Sequence, residues 1–280
     1  MNNILNKLML QKGDRIFLDV SYSGCGSGCK YCYVESAQLA QQLIHYSDLE
    51  KICAYLKREH ICDDKIVSFC PNTEPFKSLE SSERILFLIR HLNPASRCFQ
   101  ISTKEEIRDD IFADLGKISE DTPVFINISI PVIDSELLEP YAAPVGARLR
   151  NFVKAKPFSN IYSGLYIKPF FNTALDFRQE YLQIIKDYSP DYICVGFLFD
   201  LKTKNPCTSL YQSTVAYNLL QQQQESMLDF IAEIKKERPC LIVCSSVCAI
   251  YKILGIKCDL KLWLYNSDIC NSCTFKQRLI

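Results

Sequence analysis

The chain has 280 residues, of which 48% are hydrophobic and 23% charged, and its formal net charge is zero. This composition is ordinary for a globular protein with one α/β domain or two small domains. The zero net charge argues against non-specific electrostatic binding of nucleic acid by the whole surface, although it does not exclude a local basic groove. We expect neither a secretory signal in "MNNILNKLMLQKGDR" nor a membrane span, since no segment approaches about 18 uninterrupted apolar residues.

Strand-like and helix-like segments alternate along the chain. Short runs of apolar and β-branched residues predict six strands, at 15–23, 65–71, 97–103, 123–131, 162–171 and 191–199. Apolar positions at helical spacing predict the intervening helices, at 37–58, 78–92, 105–118, 144–156 and 176–187. Further on, we expect a helix at 213–238, a seventh strand at 240–246 and a short helix at 246–254.

This alternation predicts an α/β fold with a parallel sheet, because parallel strands need helical crossovers and are apolar on both faces. Six such units can curl into a partial (β/α)6 TIM-like barrel. We therefore expect a partial-barrel core at 1–200 and a C-terminal extension at 201–280 that closes the barrel.

The chain contains fifteen cysteines, an odd number, and most lie inside apolar runs such as "YICVGFLF". In a chain of this length they indicate a reducing cytoplasm in which many cysteines pack as small hydrophobes.

Three cysteines in "YSGCGSGCKYCYV" (22–34) depart from that pattern. Cys25, Cys29 and Cys32 follow the first predicted strand directly, and loops after parallel strands line the ligand-binding face of such folds. Structural zinc takes four ligands, whereas three cysteines on a four-iron, four-sulfur (4Fe-4S) cluster leave one iron open to a small molecule. Glycines between the cysteines suit a loop wrapped around a cluster. A zinc loop and three packed thiols remain the alternatives.

The string from Cys25 to Cys32 resembles the CxxxCxΦC signature of the radical S-adenosylmethionine (SAM) superfamily. The resemblance implies a partial (β/α)6 barrel, a 4Fe-4S cluster on these cysteines and SAM chelated to the open iron. It also implies an enzyme that cleaves SAM reductively to a 5′-deoxyadenosyl radical, which abstracts a substrate hydrogen. An electron donor such as flavodoxin or ferredoxin follows as a partner.

Four further strings are similar to the spore photoproduct lyase-like branch: "TEPF" (73–76), "QISTK" (100–104), "INISI" (126–130) and "EPYAAPVGARLRNF" (139–152). By this resemblance Glu74 binds the SAM amino group, Ser129 faces the ribose or carboxylate, and Arg148 reaches the carboxylate. The implied cofactor-binding set is Tyr31, Thr73, Glu74, Ser102, Lys104, Asn127, Ser129 and Arg148.

Each of these residues also has a purely structural interpretation. Glu74 can complement a helix dipole, Ser102 can simply end a strand, and Lys104 can face solvent. Arg148 can pair with Glu139 or Asp134 on the surface. Asn127 and Ser129 share one strand face and need polar partners there, which a cofactor would supply.

The motif after the second strand lacks both a Gly-Gly pair and the Asp common in this branch, which weakens the subfamily assignment. Spore photoproduct lyase also uses a cysteine hydrogen donor. Cys194, Cys244 and Cys248 are candidates for it, with core packing as the alternative, and no catalytic residue is assigned.

Near the end of the chain, Cys270 and Cys273 form a CxxC in a polar turn, with Cys258 upstream. We expect either a second iron–sulfur cluster or a zinc clip here, with a fourth ligand from Cys207, Cys244, Cys248 or the substrate. Free thiols are the third interpretation.

The sequence leaves the substrate open among a nucleic-acid lesion, a nucleobase, a peptide and a small molecule. Nucleic acid gains no support from the charge. The rival function is a zinc-stabilised, cysteine-rich binding module without catalysis.

Overall fold

The computed structural model describes residues 9–12, 14–19, 25–32, 46–196, 215–237, 242–243 and 245–256. The strands in these ranges are β1 (Met9–Lys12), β2 (Arg15–Leu18), β3 (Ile66–Phe69), β4 (Cys98–Thr103), β5 (Val124–Ser129), β6 (Ile161–Ile167), β7 (Tyr192–Val195) and β8 (Ile242–Val243). The α-helices are α1 (Tyr46–Arg58), α2 (Leu79–Leu92), α3 (Asp109–Ser119), α4 (Val145–Ala155), α5 (Arg178–Tyr188), α6 (Val215–Glu237) and α7 (Ser246–Ile253). A 3₁₀ helix spans Asn172–Leu175.

The strands follow one another in a single sheet in chain order, from β1 to β8. Every pairing described among β2 to β8 is parallel, and only β1 runs antiparallel, against β2. All seven predicted strands are present and alternate with helices, so the expectation of an α/β fold of the partial-barrel type is confirmed. We did not predict β1, although Gly13 and Asp14 between two short apolar runs are typical of a hairpin turn.

The two faces of the sheet differ in chemistry because successive side chains of a strand point to opposite sides. One face is apolar and at most 2% exposed; it carries Ile16, Leu18, Val67, Phe69, Phe99, Ile101, Ile126 and Ile128. The other face, which we call the polar face, carries Arg15, Ser68, Gln100, Ser102 and Asn127. Neighbouring helices pack on one another from α1 to α4, and their apolar stripes match the apolar face.

The contacts within the chain divide it into two compact units. The first unit comprises Met1–Lys30, Leu39–Ile128 and Glu136–Ser163, and the second comprises Tyr31–Gln38, Ser129–Ser135 and Gly164–Ile280. The boundary that we expected at residue 200 stays a prediction. No helix in the part of the chain that the structure describes has the length and apolar character needed to cross a bilayer.

Candidate functional site

The cysteine loop follows β2 and is shaped by two glycines. Gly26 and Gly28 have φ angles of +63° and +58°, a region that residues with a Cβ rarely adopt. Ser27 between them is fully buried, and its Oγ lies 3.5 Å from the Cys25 sulfur. Cys29 is buried and Cys25 is partly exposed, and both are free thiols. The loop therefore has the tight backbone that the sequence predicted.

Burial raises the pKa of the Cys25 thiol, and the hydrogen bonds with Ser27 oppose that shift. Two charged side chains lie close enough to act on the same thiol: Glu74 raises its pKa and Lys104 lowers it. Two residues of the predicted cofactor-binding set thus lie near the first cysteine, although they come from different loops.

Glu74 lies in the loop after β3, and its side chain is only 3% exposed. Its carboxylate accepts hydrogen bonds from Thr103 Oγ1 at 2.5 Å, from the Lys104 amide at 2.7 Å and from the Phe76 amide at 3.3 Å. Burial raises the pKa of Glu74, and these three donors oppose the shift. Two of the donors belong to the end of β4, so Glu74 ties the loop after β3 to that strand.

The neighbouring Thr73 joins the same loop to β2. Its hydroxyl donates a hydrogen bond to Asp19 Oδ1 at 2.8 Å, and Asp19 directly follows β2. Helix α2 begins only at Leu79, where Ser78 Oγ accepts a hydrogen bond from the Ser81 amide as the N-cap. The Glu74 carboxylate therefore accepts its hydrogen bonds mainly from residues at the end of β4. Its expected role at the SAM amino group stays a prediction.

Arg148 and Glu139 form an ion pair that is buried on both sides. Arg148 Nη1 donates to Glu139 Oε2 at 2.5 Å and Arg148 Nε donates to the Ala143 carbonyl at 2.6 Å, with both side chains 0% exposed. Lys104 Nζ lies 3.6 Å from Glu139 Oε1. Pairing with Glu139 was one of the structural interpretations of Arg148, but the expected surface location is wrong, because the pair is buried. The assignment of Arg148 to the SAM carboxylate stays a prediction.

Two predicted residues meet on the polar face near the ends of their strands. Asn127 of β5 donates a hydrogen bond from Nδ2 to Ser102 Oγ of β4 at 2.8 Å. Asn127 is 1% exposed, while Ser102 stays partly accessible. Asn127 was expected to need a polar partner that a cofactor would supply, and here Ser102 is such a partner.

A further polar group on this face was missed from the sequence. Arg15 Nε donates to Ser68 Oγ at 2.8 Å, Ser68 Oγ donates to Gln100 Oε1 at 3.0 Å, and Arg15 Nη2 also donates to Gln100 Oε1. Because Gln100 Oε1 accepts both hydrogen bonds, the orientation of the Gln100 amide group is fixed. Its Nε2 has no hydrogen-bond partner among the described residues. The signal was the pair of polar residues at alternate positions of β4, Gln100 and Ser102, together with Ser68 in the otherwise apolar β3.

In the second unit, Tyr31 packs edge-on against Phe171, with ring centroids 5.2 Å apart and an interplanar angle of 63°. Cys32 is a partly exposed free thiol. Ser129 is 4% exposed at the end of β5, and Tyr181 donates a hydrogen bond to the Ile130 carbonyl just beyond it. The expected place of Tyr31 in the cofactor-binding set stays a prediction.

Within the described ranges, no group of three or more His, Cys, Asp or Glu side chains is arranged to hold a single metal ion. Cys258, Cys270 and Cys273, together with Cys207 and Cys244, lie outside the described residues, so the predicted second metal site stays a prediction. Cys194 in β7 and Cys248 in α7 are both buried.

The fold of this chain is similar to that of several solved proteins. A cysteine-to-serine mutant of spore photoproduct lyase matches with a TM-score of 0.58 and 14% identity, over 81% of this chain and 75% of that chain. Streptococcus suis SuiB bound to its precursor peptide SuiA matches with a TM-score of 0.56 and 12% identity, over 94% of this chain and 57% of that chain.

A third match, at a TM-score of 0.50 and 16% identity, is a mutant spore photoproduct lyase with bound AdoMet and dinucleoside spore photoproduct, over 75% of this chain and 61% of that chain. Across the alignments with the lyase, this chain spans between 53% and 75% of the other chain's length. No family model matches the sequence, and no curated protein does. The chain therefore shares its fold with spore photoproduct lyase and SuiB, so the predicted resemblance is confirmed at the level of the fold.

Proposed function

We propose that the chain is a radical SAM enzyme in which Cys25, Cys29 and Cys32 hold a 4Fe-4S cluster. The observation that carries the proposal is the cysteine loop itself. Its two left-handed glycines lie between Cys25 and Cys29, in the loop that follows the first parallel strand of a radical SAM fold. The loop therefore combines the donor chemistry, the backbone shape and the position that a cluster at the mouth of such a sheet needs.

The residues present fit the cluster. Cys25, Cys29 and Cys32 are all free thiols, so none is committed to a disulfide. A single zinc ion would draw its sulfurs to about 2.3 Å from one point. A four-iron cluster bonds each cysteine to a different iron and does not require the thiols to converge. When bound, the cluster supplies the electron that cleaves SAM to methionine and a 5′-deoxyadenosyl radical.

Residues of the chain would bind and orient SAM by complementary charge and hydrogen bonding. Glu74 and Thr73 suit its ammonium group, and Lys104 and Arg148 suit its carboxylate. Asn127, Ser102 and Ser129 suit the ribose hydroxyls, and Tyr31 supplies an aromatic surface. The resemblance implied the roles of Glu74, Ser129 and Arg148, whereas the roles of Lys104, Asn127 and Ser102 are added by this proposal. The proximity of Glu74 and Lys104 to Cys25 supports a SAM site at this loop.

The polar face has features that suit the binding of a further molecule. Gln100 Nε2 is a buried donor without a partner among the described residues, and such groups in folded proteins call for an explanation by water or ligand. Ser68, Gln100 and Asn127 are at most 3% exposed. A site this shielded would keep water away from a reactive radical.

For the substrate, the matched proteins offer two classes. Spore photoproduct lyase was solved with its dinucleoside, and SuiB with its precursor peptide. We propose the dinucleoside photoproduct as the first substrate to assay, because this chain spans 75% of the lyase and only 57% of SuiB. A peptide carrying a modifiable side chain is the second.

A one-electron donor such as reduced flavodoxin or ferredoxin is the proposed partner, and a chemical reductant can replace it in the assay. The cytoplasm is the proposed location, since the cysteines that the structure describes are free thiols and a reducing compartment keeps them so.

The proposal is tested on protein purified without oxygen. We expect a brown chain containing about four irons, which releases 5′-deoxyadenosine from SAM once reduced. Cys29→Ala is expected to lose both the colour and 5′-deoxyadenosine formation. Cys53→Ala is the matched control, because Cys53 is equally buried but lies in α1.

Two outcomes would contradict the proposal. One is a Cys29→Ala variant that cleaves SAM at the parent rate. The other is colourless parent protein with one equivalent of zinc, which would favour the zinc-stabilised binding module.

A further inference from the structure

A short irregular segment between β5 and α4 lies directly on the cysteine loop. The Lys30 amide donates a hydrogen bond to the Leu138 carbonyl at 2.9 Å, and the Tyr141 amide donates to the Ser27 carbonyl at 3.3 Å. Two backbone bonds thus join residues 138–141 to the loop between Cys25 and Lys30. We call residues 138–141 the strap.

The strap also contacts the loop through a side chain. A methyl group on Gly28 would lie 2.6 Å from Tyr141 Cδ2, well inside any normal contact, so the Tyr141 ring lies directly over the Gly28 backbone. The same ring is 68% exposed on its other side. The ring therefore covers the cysteine loop from the solvent side. Because Tyr141 is mostly exposed, burial does not explain why its ring is held there.

The residue between these contacts anchors the strap in the interior. Glu139 is 1% exposed and pairs with Arg148 and Lys104. Burying a carboxylate is costly unless it is paired, so the two cations fix where Glu139 can be. The flanking Leu138 carbonyl and Tyr141 amide are then presented to the loop.

Two further bonds hold the C-terminal end of the strap. The Tyr141 carbonyl accepts a hydrogen bond from Lys77 Nζ, which also pairs with Glu105 at 2.7 Å. The Ala143 amide donates to the Lys104 carbonyl at 3.2 Å. The strap is thus fixed to the loops after β3 and β4 independently of the cysteine loop, which is what a positioning element requires.

We propose that the strap positions the cysteine loop, with Glu139 as the buried anchor and Tyr141 as the covering residue. The inference depends on the proposed function only for its functional consequence, which is that a fixed loop presents Cys25 and Cys29 to the cluster. The positioning itself is a property of this chain alone and can be measured without a cluster.

Amide hydrogen exchange on the cluster-free chain tests the anchor. In Glu139→Gln, we expect the amides of Lys30 and Tyr141 to exchange about ten- to a hundredfold faster, because the charge-assisted contact that holds the Leu138 carbonyl and the Tyr141 amide against the loop is lost. Glu136→Gln is the control, since Glu136 is exposed three residues earlier and should leave both amides unchanged. Amides of α2 report on global stability and should stay slow in both variants.

Surface variants test the covering residue without disturbing the interior. Tyr141→Ala should speed exchange in residues 25–30, whereas Tyr141→Phe, which keeps the ring, should not. Gly28→Ala should disturb the loop more than Gly26→Ala, because both glycines have positive φ but a methyl group on Gly26 lies 3.8 Å from its nearest neighbour. In the Tyr141→Ala background, Gly28→Ala should disturb the loop no more than Gly26→Ala does, because the ring that a methyl group would meet is gone.

With the cluster present, Glu139→Gln and Tyr141→Ala should keep most of the iron but raise the KM for SAM more than they lower kcat. Unchanged exchange of residues 25–30 in both variants would overturn the proposal. So would equal effects of the Gly26 and Gly28 substitutions. If the parent chain binds no cluster, the proposed function fails, whereas the exchange results still decide whether the strap positions the loop.

Discussion

The two ends of strands β2, β3 and β4 carry charges in opposite ways. Just before these strands, Arg97 pairs with Asp14 at 3.0 Å and with Asp64 at 2.7 Å, and the side chains are between 24% and 79% exposed. Beyond the ends of β3 and β4, Glu74 and the Glu139–Arg148 pair are at most 3% exposed. The same strands thus begin in a solvated ion-pair network and end among buried charges.

This difference separates a structural role from a functional one. Exposed ion pairs contribute little stability and cost little to maintain. Buried charges are expensive, so a chain that keeps several of them close to a cysteine loop has a reason other than stability to keep them. In parallel α/β folds the ends of the strands are where ligands bind, which agrees with this division.

The largest expected effect comes from removing one arginine at each end. Arg148→Met removes the guanidinium that pairs with the buried Glu139 carboxylate, and we expect it to cost about 3–5 kcal/mol of unfolding free energy. Arg97→Met removes exposed pairs and should cost about 1 kcal/mol or less. Urea unfolding followed by circular dichroism measures both. Equal costs would show that the two ends do not differ.

The double variant Arg148→Met with Glu139→Met is the control for this comparison. It removes both charges together, so it should recover most of the lost stability. If it stays as unstable as Arg148→Met alone, the cost arises from packing and not from an uncompensated charge.

An effect of intermediate size is expected in the pH dependence of the unfolding free energy, because the carboxylates at the two ends of the strands have pKa values shifted in opposite directions. Burial raises the pKa of Glu74 above its ordinary value of 4.5, so the folded chain holds a proton that the unfolded chain has lost. The wild type should therefore lose stability relative to Glu74→Gln as the pH rises above 4.5. Below that pH the variant should be less stable by about 1–3 kcal/mol, because its amide nitrogen cannot accept the Lys104 hydrogen bond.

Asp64→Asn provides the opposite slope. Arg97 lowers the pKa of Asp64 below its ordinary value of 3.8, so its stabilising effect is present above that pH and is lost as the pH falls further. Stability curves of the two variants against the wild type, measured between about pH 3 and 7, should diverge in opposite senses. Parallel curves would contradict the contrast between the two ends.

The sequence was sufficient for the fold and for the cysteine loop, because both depend on local signals. Short apolar runs separated by segments of helical periodicity located the seven parallel strands, and the spacing of Cys25, Cys29 and Cys32 located the loop. The strand β1 was missed because its residues, MLQK, lack the apolar run that marked the other strands.

The rest of the site depends on contacts between residues far apart in the chain. Arg15 looks like an ordinary solvent-facing residue at a strand start until the register places it beside Ser68 and Gln100. Arg148 could be matched to a motif, but only the fold shows its burial against Glu139. The hydrogen bond from the Lys30 amide to the Leu138 carbonyl could not be predicted, because no local sequence pattern indicates which loop an irregular segment will contact.

The smallest expected effect is the response of the two ends to salt. At about 1 M ionic strength the Debye length falls to about 3 Å, so an exposed pair is screened while a buried pair is affected much less. The cost of Arg97→Met should therefore shrink towards zero as sodium chloride is added, whereas the cost of Arg148→Met should hardly change. Unfolding midpoints of both variants and the wild type at low and high salt measure this difference. A salt-dependent Arg148→Met would mean that water reaches the Glu139 carboxylate, and the charges at the end of the strands would then be solvated like those at the start.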